Sequence, residues 1–452
     1  MRAPPDHGGR HVQPGRIAAR WCRDGAAGGL KERTVRETLA LFRKRNVAYL
    51  WAARFVSHLG DWILMIALPV WVYQLTSSAA ILGFMVAVQT LPIICLGPLA
   101  GVFVDRWDRR RVITVGYLVQ GINVLLLFLV TTPQRVYLVF LVGFVETAAS
   151  TFAGPARRAL LPNLVAEQEL VAANALFNVA FILPRLVGPA LGAALIAWAG
   201  PTPAFAVDAA TFAFAALAVA GMRVPRASTQ PGAPTPVGQG LGGVYQDLIA
   251  GVRVIRSRRV LLVVLGVWAL LMFAAGPVVS LLVVFVQEAL GGSAASYGLL
   301  ESLLALGMLA GFALAGSLSG WPALRLFKVG LVTFAPLFLL VANAPNVYWA
   351  GVILPVTGMT MAAIMVADET ILQQATEDAF RGRVLTVNEA VVSSMGLISA
   401  ALAGVLMDRV GVRLIFNAAG VVCVVAALLG LICLRETGAS EVNLGSVEVE
   451  PS

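Results

Sequence analysis

Twelve successive apolar runs restrict the fold of this chain more than any other feature of its sequence. They cover 47–74, 79–104, 111–131, 135–155, 170–199, 203–222, 259–288, 295–319, 324–343, 346–372, 384–408 and 412–434. About 20 apolar residues in a helix cross the roughly 30 Å hydrocarbon core of a bilayer. Only 13% of the 452 residues are charged, about half the share found in soluble domains. The sequence therefore predicts an all-α membrane protein with twelve transmembrane helices.

A polar segment divides these runs into two sets of six. It covers 223–258, contains four prolines and ends in a predicted surface helix near 245–259. Six spans, a polar linker and six more spans are typical of a duplicated transporter. We therefore predict two pseudo-symmetric six-helix bundles at 46–222 and 259–435. Residues 1–45 are predicted to be a tail with a short amphipathic helix on the membrane surface, and 436–452 a second tail.

The basic residues lie mainly on one side of the predicted membrane. Lys and Arg number 28 on the side that carries the N terminus and 3 on the other, and the ratio is 17 to 3 without the N-terminal tail. Because basic loops remain in the cytoplasm, we expect both termini and the linker to be cytoplasmic. The net charge of +9 is thus assigned to membrane orientation, and no nucleic-acid partner is expected.

The turn between the second and third runs combines small, acidic and basic residues. Gly97 and Gly101 are one helical turn apart, which predicts a smooth face for close helix packing. An aspartate follows where the helix leaves the membrane, and arginines then anchor the turn at the headgroups. The predicted gating motif consists of Gly97, Gly101, Asp105, Arg106, Arg109 and Arg110.

The fifth run contains two prolines and two glycines, Pro184, Gly188, Pro189 and Gly192. Proline removes a backbone hydrogen bond, and glycine lets another helix approach closely. We predict a kinked helix that packs tightly on a neighbour.

Four ionisable side chains lie deep within apolar runs: Arg54, Asp61, Glu146 and Arg185. A charge in hydrocarbon costs several kcal/mol, so such residues face a cavity or a partner. The two acids could bind and release a proton, which makes the four residues candidates for proton coupling. The alternative is a fixed ion pair between an acid and either arginine. His58 is a weaker candidate, as are Asp208, Glu301, Asp368 and Glu369.

Four polar side chains are candidates for lining a central cavity: Gln89, Asn123, Asn178 and Asn388. The sequence has no phosphate-binding glycine loop, no Ser-His-Asp pattern and no His/Cys cluster for a metal. We therefore predict no enzymatic activity, no metal site and no cofactor, with an ion gradient or the substrate's own gradient as the energy source.

These motifs resemble those of the major facilitator superfamily. Gly101, Asp105, Arg106, Arg109 and Arg110 match its glycine, acidic and basic motif, whereas an aspartate at position 108 replaces a glycine. The loop, together with 57–61, 154–162, 173–176 and 380–384, is similar to the exporter branch that includes macrolide efflux proteins and the enterobactin exporter. Pro184 to Gly192 resembles the glycine-proline motif of the superfamily's antiporters.

The resemblance implies a secondary active transporter that works by alternating access in the bacterial inner membrane. Its substrate would be a drug-like or siderophore-like amphiphilic small molecule, exported by proton entry, and we expect the chain to act as a monomer in the lipid bilayer. Two alternatives remain open. One is a uniporter or importer of a metabolite on the same fold, and the other is a membrane sensor or assembly subunit that transports nothing.

Overall fold

The computed structural model describes residues 40–104, 107–166, 169–223, 241–317, 321–376 and 378–434. The regular structure in these ranges is entirely helical. The first half contains α1 Arg45–Thr76, α2 Ala79–Val104, α3 Arg109–Leu125, α4 Tyr137–Leu160, α5 Leu170–Ala199 and α6 Pro203–Ala220. Short 3₁₀ turns lie at Leu41–Arg43, Leu126–Leu129, Pro133–Arg135 and Leu161–Asn163.

The second half begins with a linker helix. It contains α7 Leu241–Ser257, α8 Arg259–Val284, α9 Ala294–Ser317, α10 Ala323–Ala342, α11 Val347–Gln374, α12 Asp378–Val410 and α13 Val412–Cys433. One π-helical turn, Phe285–Ala289, extends α8. Twelve helices, all but α7, are long and apolar enough to cross a bilayer, which confirms the predicted fold class.

The predicted helix bounds agree with the structure to within a few residues, except at three helices. The α-helical part of α3 ends at Leu125, where 131 was predicted, and α12 begins at Asp378, where 384 was predicted. The third exception is α4. This helix was predicted to end at 155 but continues to Leu160 through Pro155. A proline inside a membrane helix is tolerated because neighbouring groups satisfy the freed backbone. Most of the predicted amphipathic helix, residues 224–240 of the linker and the tail from 435 onward lie outside the described residues.

The helix pairs of the first half recur in the second half. In the first half α1 packs on α5 and α6, α2 on α4, and α3 on α4 and α6. In the second half α8 packs on α12 and α13, α9 on α11, and α10 on α11 and α13. All five pairs correspond when α1 to α6 are matched in order with α8 to α13. The two bundles are therefore pseudo-symmetric, as expected for a duplicated transporter.

The two ends of the bundle differ in how the halves meet. We name the end that carries residues 45 and 433 the terminal face, and the end with the turns at Ser77, Gly200 and Gly411 the distal face. One buried apolar cluster joins the first half to those residues of the second half that lie toward the distal face. The remaining buried clusters contain second-half and linker residues near the terminal face. Among the described residues, the shared core of the halves is thus distal.

Glycines produce the distal contact. Gly83 of α2 lies against Gly404 of α12, and a Cβ on Gly404 would lie 3.0 Å from Gly83 Cα. On the opposite side of the bundle, a side chain on Gly298 of α9 would collide with Pro189 and Ala193 of α5. Small residues let helices approach closely where apolar burial alone gives no driving force in lipid.

Candidate functional site

Three acidic side chains from three helices converge inside the first half. Asp61 lies at the middle of α1, Glu146 in α4 and Asp208 in α6. One carboxylate oxygen from each residue lies within 4.8 Å of the other two. We call this group the acid triad. Asp61 and Glu146 are half-buried, whereas Asp208 is fully buried, so the first two residues are the accessible members.

Sequence reasoning placed Asp208 only among the weaker candidates. Its signal was a single aspartate five residues into an apolar helix, where a charge is costly. In the structure Thr211 Oγ1 lies 3.4 Å from Asp208 Oδ1 and can donate to it, while Oδ2 is buried with no hydrogen-bond partner. The absence of a side chain at Gly60 permits this arrangement, because a Cβ there would collide with Asp208 and Thr211.

The acid triad forms no ion pair with the two deep arginines. Among the described residues Asp61 pairs with His58, with 3.2 Å between Oδ2 and Nδ1. Arg54 instead lies over the ring of Phe181, 5.5 Å from its centroid, and its Nε is buried without a partner. The arrangement therefore differs from the fixed ion pair that the sequence left open.

Aromatic rings contact the basic side chains of α1 and α5. The His58 ring packs edge-on against Phe181 at 5.3 Å, and the Arg185 guanidinium lies 5.3 Å from the ring centroid of Trp62. Cation–π contacts of this kind hold a guanidinium without a carboxylate. Arg54 and Arg185 thus lie against aromatic rings, whereas His58 contacts both Phe181 and Asp61 of the acid triad.

The predicted packing motif of α5 lies at this same interface. A Cβ on Gly188 would collide with Trp62, and one on Gly192 would lie 2.9 Å from the Ile63 carbonyl oxygen. Pro184 and Pro189 are both buried inside the continuous helix Leu170–Ala199. At the terminal face Lys44 donates a hydrogen bond to Glu169, just before α5, and this bond lowers the pKa of the Glu169 carboxyl.

The two described arginines of the predicted gating motif form hydrogen bonds to other helices of the first half. Arg109 Nη1 donates to the Ala159 carbonyl of α4 at 2.9 Å, and Arg110 Nε donates to the Val219 carbonyl of α6 at 3.0 Å. These cations lie at helix C-termini, where the helix dipole favours them. Asp108, the departure from the superfamily pattern, caps α3, since its Oδ1 accepts from the backbone N–H of Arg111 at 2.9 Å.

Other parts of the motif are corrected or undescribed. Among the described residues Gly97 faces open space, since a Cβ added to it would have none of their atoms within 4 Å. The prediction of close packing at Gly97 is therefore wrong for this conformation. Gly101 lies in α2, but its surroundings, together with Asp105 and Arg106, lie outside the described residues.

The predicted cavity-lining residues divide into two groups. Asn123 is buried and donates to the Val142 carbonyl at 2.8 Å, so it joins α3 to α4 and does not line a cavity. Gln89 also packs between helices: a Cβ added to Gly143 of α4 would lie 2.6 Å from the Cγ atom of Gln89. Asn178 is exposed on α5, and Asn388 of α12 has a buried Oδ1 without a partner. Asn178 and Asn388 therefore remain candidates for substrate contact.

A polar contact closes the distal face between the halves. The Tyr73 hydroxyl, at the end of α1, donates to Glu288 Oε1 in the π-helical turn after α8. Arg413 Nη2 donates to the Ala289 carbonyl at 2.8 Å, which holds the same turn. Together with the distal core, these bonds join the halves on the side away from the termini.

Comparison with known proteins identifies the family. The profile of the transmembrane secretion effector family matches residues 36–448. Macrolide efflux protein A from Streptococcus pyogenes is 23% identical over 385 residues, which are 84% of this chain and 94% of that protein. Multidrug efflux pump Tap from Mycobacterium bovis is 27% identical over 405 residues, which are 85% of this chain and 93% of that protein.

Solved structures show the same fold at low sequence identity. A bacterial homologue of the human lysosomal transporter Spinster has a TM-score of 0.70 and 14% identity, and the match covers 87% of this chain and 97% of that one. A bacterial homologue of the iron transporter ferroportin has a TM-score of 0.68 and 14% identity, covering 86% and 99%. The chain is therefore a multi-pass membrane transporter, and it belongs to the transmembrane secretion effector family of the major facilitator superfamily.

Proposed function

We propose that this chain is a proton-driven exporter of amphiphilic, drug-like small molecules. The acid triad is the observation that supports proton coupling. At an effective dielectric constant of about 20, two charges 4.8 Å apart repel by about 3.5 kcal/mol. Full ionisation would create three such pairs, and no arginine or lysine among the described residues forms an ion pair with them. One bound proton removes two of the three repulsions.

The accessibility of the acid triad fits an exchange cycle. In this conformation the halves are joined at the distal face. We infer from this that Asp61 and Glu146 are reached from the terminal face. With cytoplasmic termini, the triad would release its proton to the cytoplasm in this state. When the distal face opens, it would take up a proton from outside while substrate leaves. His58 Nδ1 lies 3.2 Å from Asp61 Oδ2, so this side chain can relay a proton to or from Asp61.

The substrate class rests on the relatives. Macrolide efflux protein A and the multidrug pump Tap are named as efflux proteins, and we extend this activity to the present chain. Phe181 of α5 and Trp62 of α1, the rings that Arg54 and Arg185 contact, supply apolar contact area for a large amphiphile. A siderophore-like substrate is the alternative, and the transport experiment below includes siderophores for this reason.

Export by proteoliposomes under an imposed pH gradient tests the proposal. We expect Glu146→Gln to abolish uphill export while downhill exchange continues, and Asp61→Asn and Asp208→Asn to weaken coupling. Asp408→Asn, which removes an exposed acid at the end of α12, is the matched control. The substrate panel contains macrolides, tetracyclines, dyes and siderophores.

Four outcomes would contradict the proposal. Uphill export by all three triad variants would exclude coupling through these acids. Export driven by a divalent-cation gradient in place of the pH gradient would identify the triad as a metal site, since carboxylate oxygens also bind hard cations. Transport that only follows the substrate gradient would indicate a uniporter, and transport of nothing in the panel would favour a sensor or assembly subunit.

A further inference from the structure

A groove lies on the surface of the first half between α3 and α4. It encloses about 620 Å³, within the range of small-ligand pockets, about 300–1,000 Å³. Its floor is made of small residues, Gly116, Ala148 and Ala149. Its walls include Val115 and Phe144, which are 56% and 38% exposed. Because this is a membrane-spanning hairpin, these apolar walls face lipid.

One end of the groove is polar and lies at the terminal face. Trp107, Asp108 and Arg111 form this mouth, and the Trp107 ring stacks on Phe152 at 6.3 Å. Tryptophan favours the level of the lipid headgroups. The mouth therefore lies at the membrane surface, and the apolar part of the groove extends into the hydrocarbon.

Arg111 differs from its two neighbouring arginines. Arg109 and Arg110 donate to helix C-termini, whereas the exposed Arg111 side chain makes no hydrogen bond or ion pair with any described residue. The Asp108 carboxylate is engaged as the cap of α3. The mouth thus presents a guanidinium whose donors are unused by the described residues. These planar donors suit a phosphate group.

We propose that this groove binds an anionic phospholipid, with its phosphate at Arg111 and an acyl chain along the floor. The groove follows α3 from Arg111 to Val119, which is about 12 Å at 1.5 Å per residue. One leaflet contributes about half of the roughly 30 Å hydrocarbon core, so the groove accommodates most of an acyl chain. The site is distinct from the acid triad, because its exposed walls Val115 and Phe144 lie on the outer surface of the first half.

Native mass spectrometry of the purified full chain, titrated with phosphatidylglycerol or phosphatidylcholine, tests this site independently of transport. We expect phosphatidylglycerol to bind more tightly to the wild type. Arg111→Gln should weaken it about fivefold, the effect of one basic group at an anionic surface, and leave phosphatidylcholine binding unchanged. Arg325→Gln, which alters an exposed arginine near the start of α10, should bind as the wild type does.

A second variant tests the groove itself. Ala148→Phe should fill the floor of the groove and abolish the highest-affinity binding of phosphatidylglycerol. The thermal unfolding midpoint of this variant reports whether it is folded. Equal affinity for the two lipids in the wild type, or unchanged phosphatidylglycerol binding in Arg111→Gln, would overturn the proposal. So would cross-linking that places a second copy of the chain in the groove.

Discussion

Replacing Gly60 with alanine separates the packing of the acid triad from its electrostatics. The new methyl group would lie 3.1 Å from Thr211 Cβ and would collide with Thr211 Oγ1 and Asp208 Oδ1. Helix α1 must therefore move away from α6, by about 1 Å if it accommodates one methyl group by rigid displacement, and overpacking of this kind costs about 1–3 kcal/mol.

The same displacement changes the repulsion within the triad very little. At an effective dielectric constant of about 20, lengthening the separation from 4.8 Å to about 5.8 Å lowers the repulsion of an ionised pair from about 3.5 to about 2.9 kcal/mol. The triad should then still bind its proton. We expect Gly60→Ala to be less stable and slower, but still coupled.

Two measurements on the same variant test this reasoning. The thermal unfolding midpoint in detergent should fall, while the ratio of uphill to downhill export in proteoliposomes should match the wild type. Gly266→Ala in α8 is the control, because no atom lies within 4 Å of its added Cβ, and alanine should stabilise that helix by about 0.5–1 kcal/mol. The reasoning is refuted if Gly60→Ala keeps its stability, or if it loses coupling as Glu146→Gln is expected to do.

Three further predictions concern the two faces. Tyr73→Phe removes the distal bond to Glu288, worth about 1.5–3 kcal/mol for a charged acceptor, and should reduce disulfide cross-linking between α2 and α12 at the distal face; unchanged cross-linking would argue against a gating contact. Arg110→Gln loses bonds to the last turn of α6 and should lower the unfolding midpoint by an amount equivalent to about 1–3 kcal/mol, whereas wild-type stability would show that those bonds are dispensable. In a cysteine-free background, Val410→Cys, at an exposed position on the distal face, should react with an impermeant maleimide in intact cells. Gly382→Cys should react only after permeabilisation, and the reverse would place the termini outside.

Local composition was sufficient to predict the helices. Apolar runs of about 20 residues have one stable form in a bilayer, because every backbone polar group must be satisfied within the segment. The bounds of α2 and α5 were therefore predicted to the residue. The extension of α4 shows the limit of a local rule, since a proline ordinarily ends or kinks a helix, whereas α4 continues through Pro155.

The roles of individual polar residues were not predictable in the same way. Asn123 and Asn178 are the same residue type in similar apolar runs, yet one bonds across α3 and α4 while the other is exposed. Which face of a helix is buried depends on the helices packed around it, and the hydropathy of the run does not predict that face. The same holds for Arg54 and Arg185, which contact aromatic rings rather than the acids.

The sequence by itself determined the class of this protein, its twelve spans, its duplicated halves and the depth of Asp61 and Glu146. Only the tertiary structure brought Asp208 to them, because the three residues lie on α1, α4 and α6 and meet only where Gly60 lets α1 approach α6. A carboxylate's depth in the membrane follows from its position along the chain. Its partners follow from helix packing, which joins residues that are far apart in sequence.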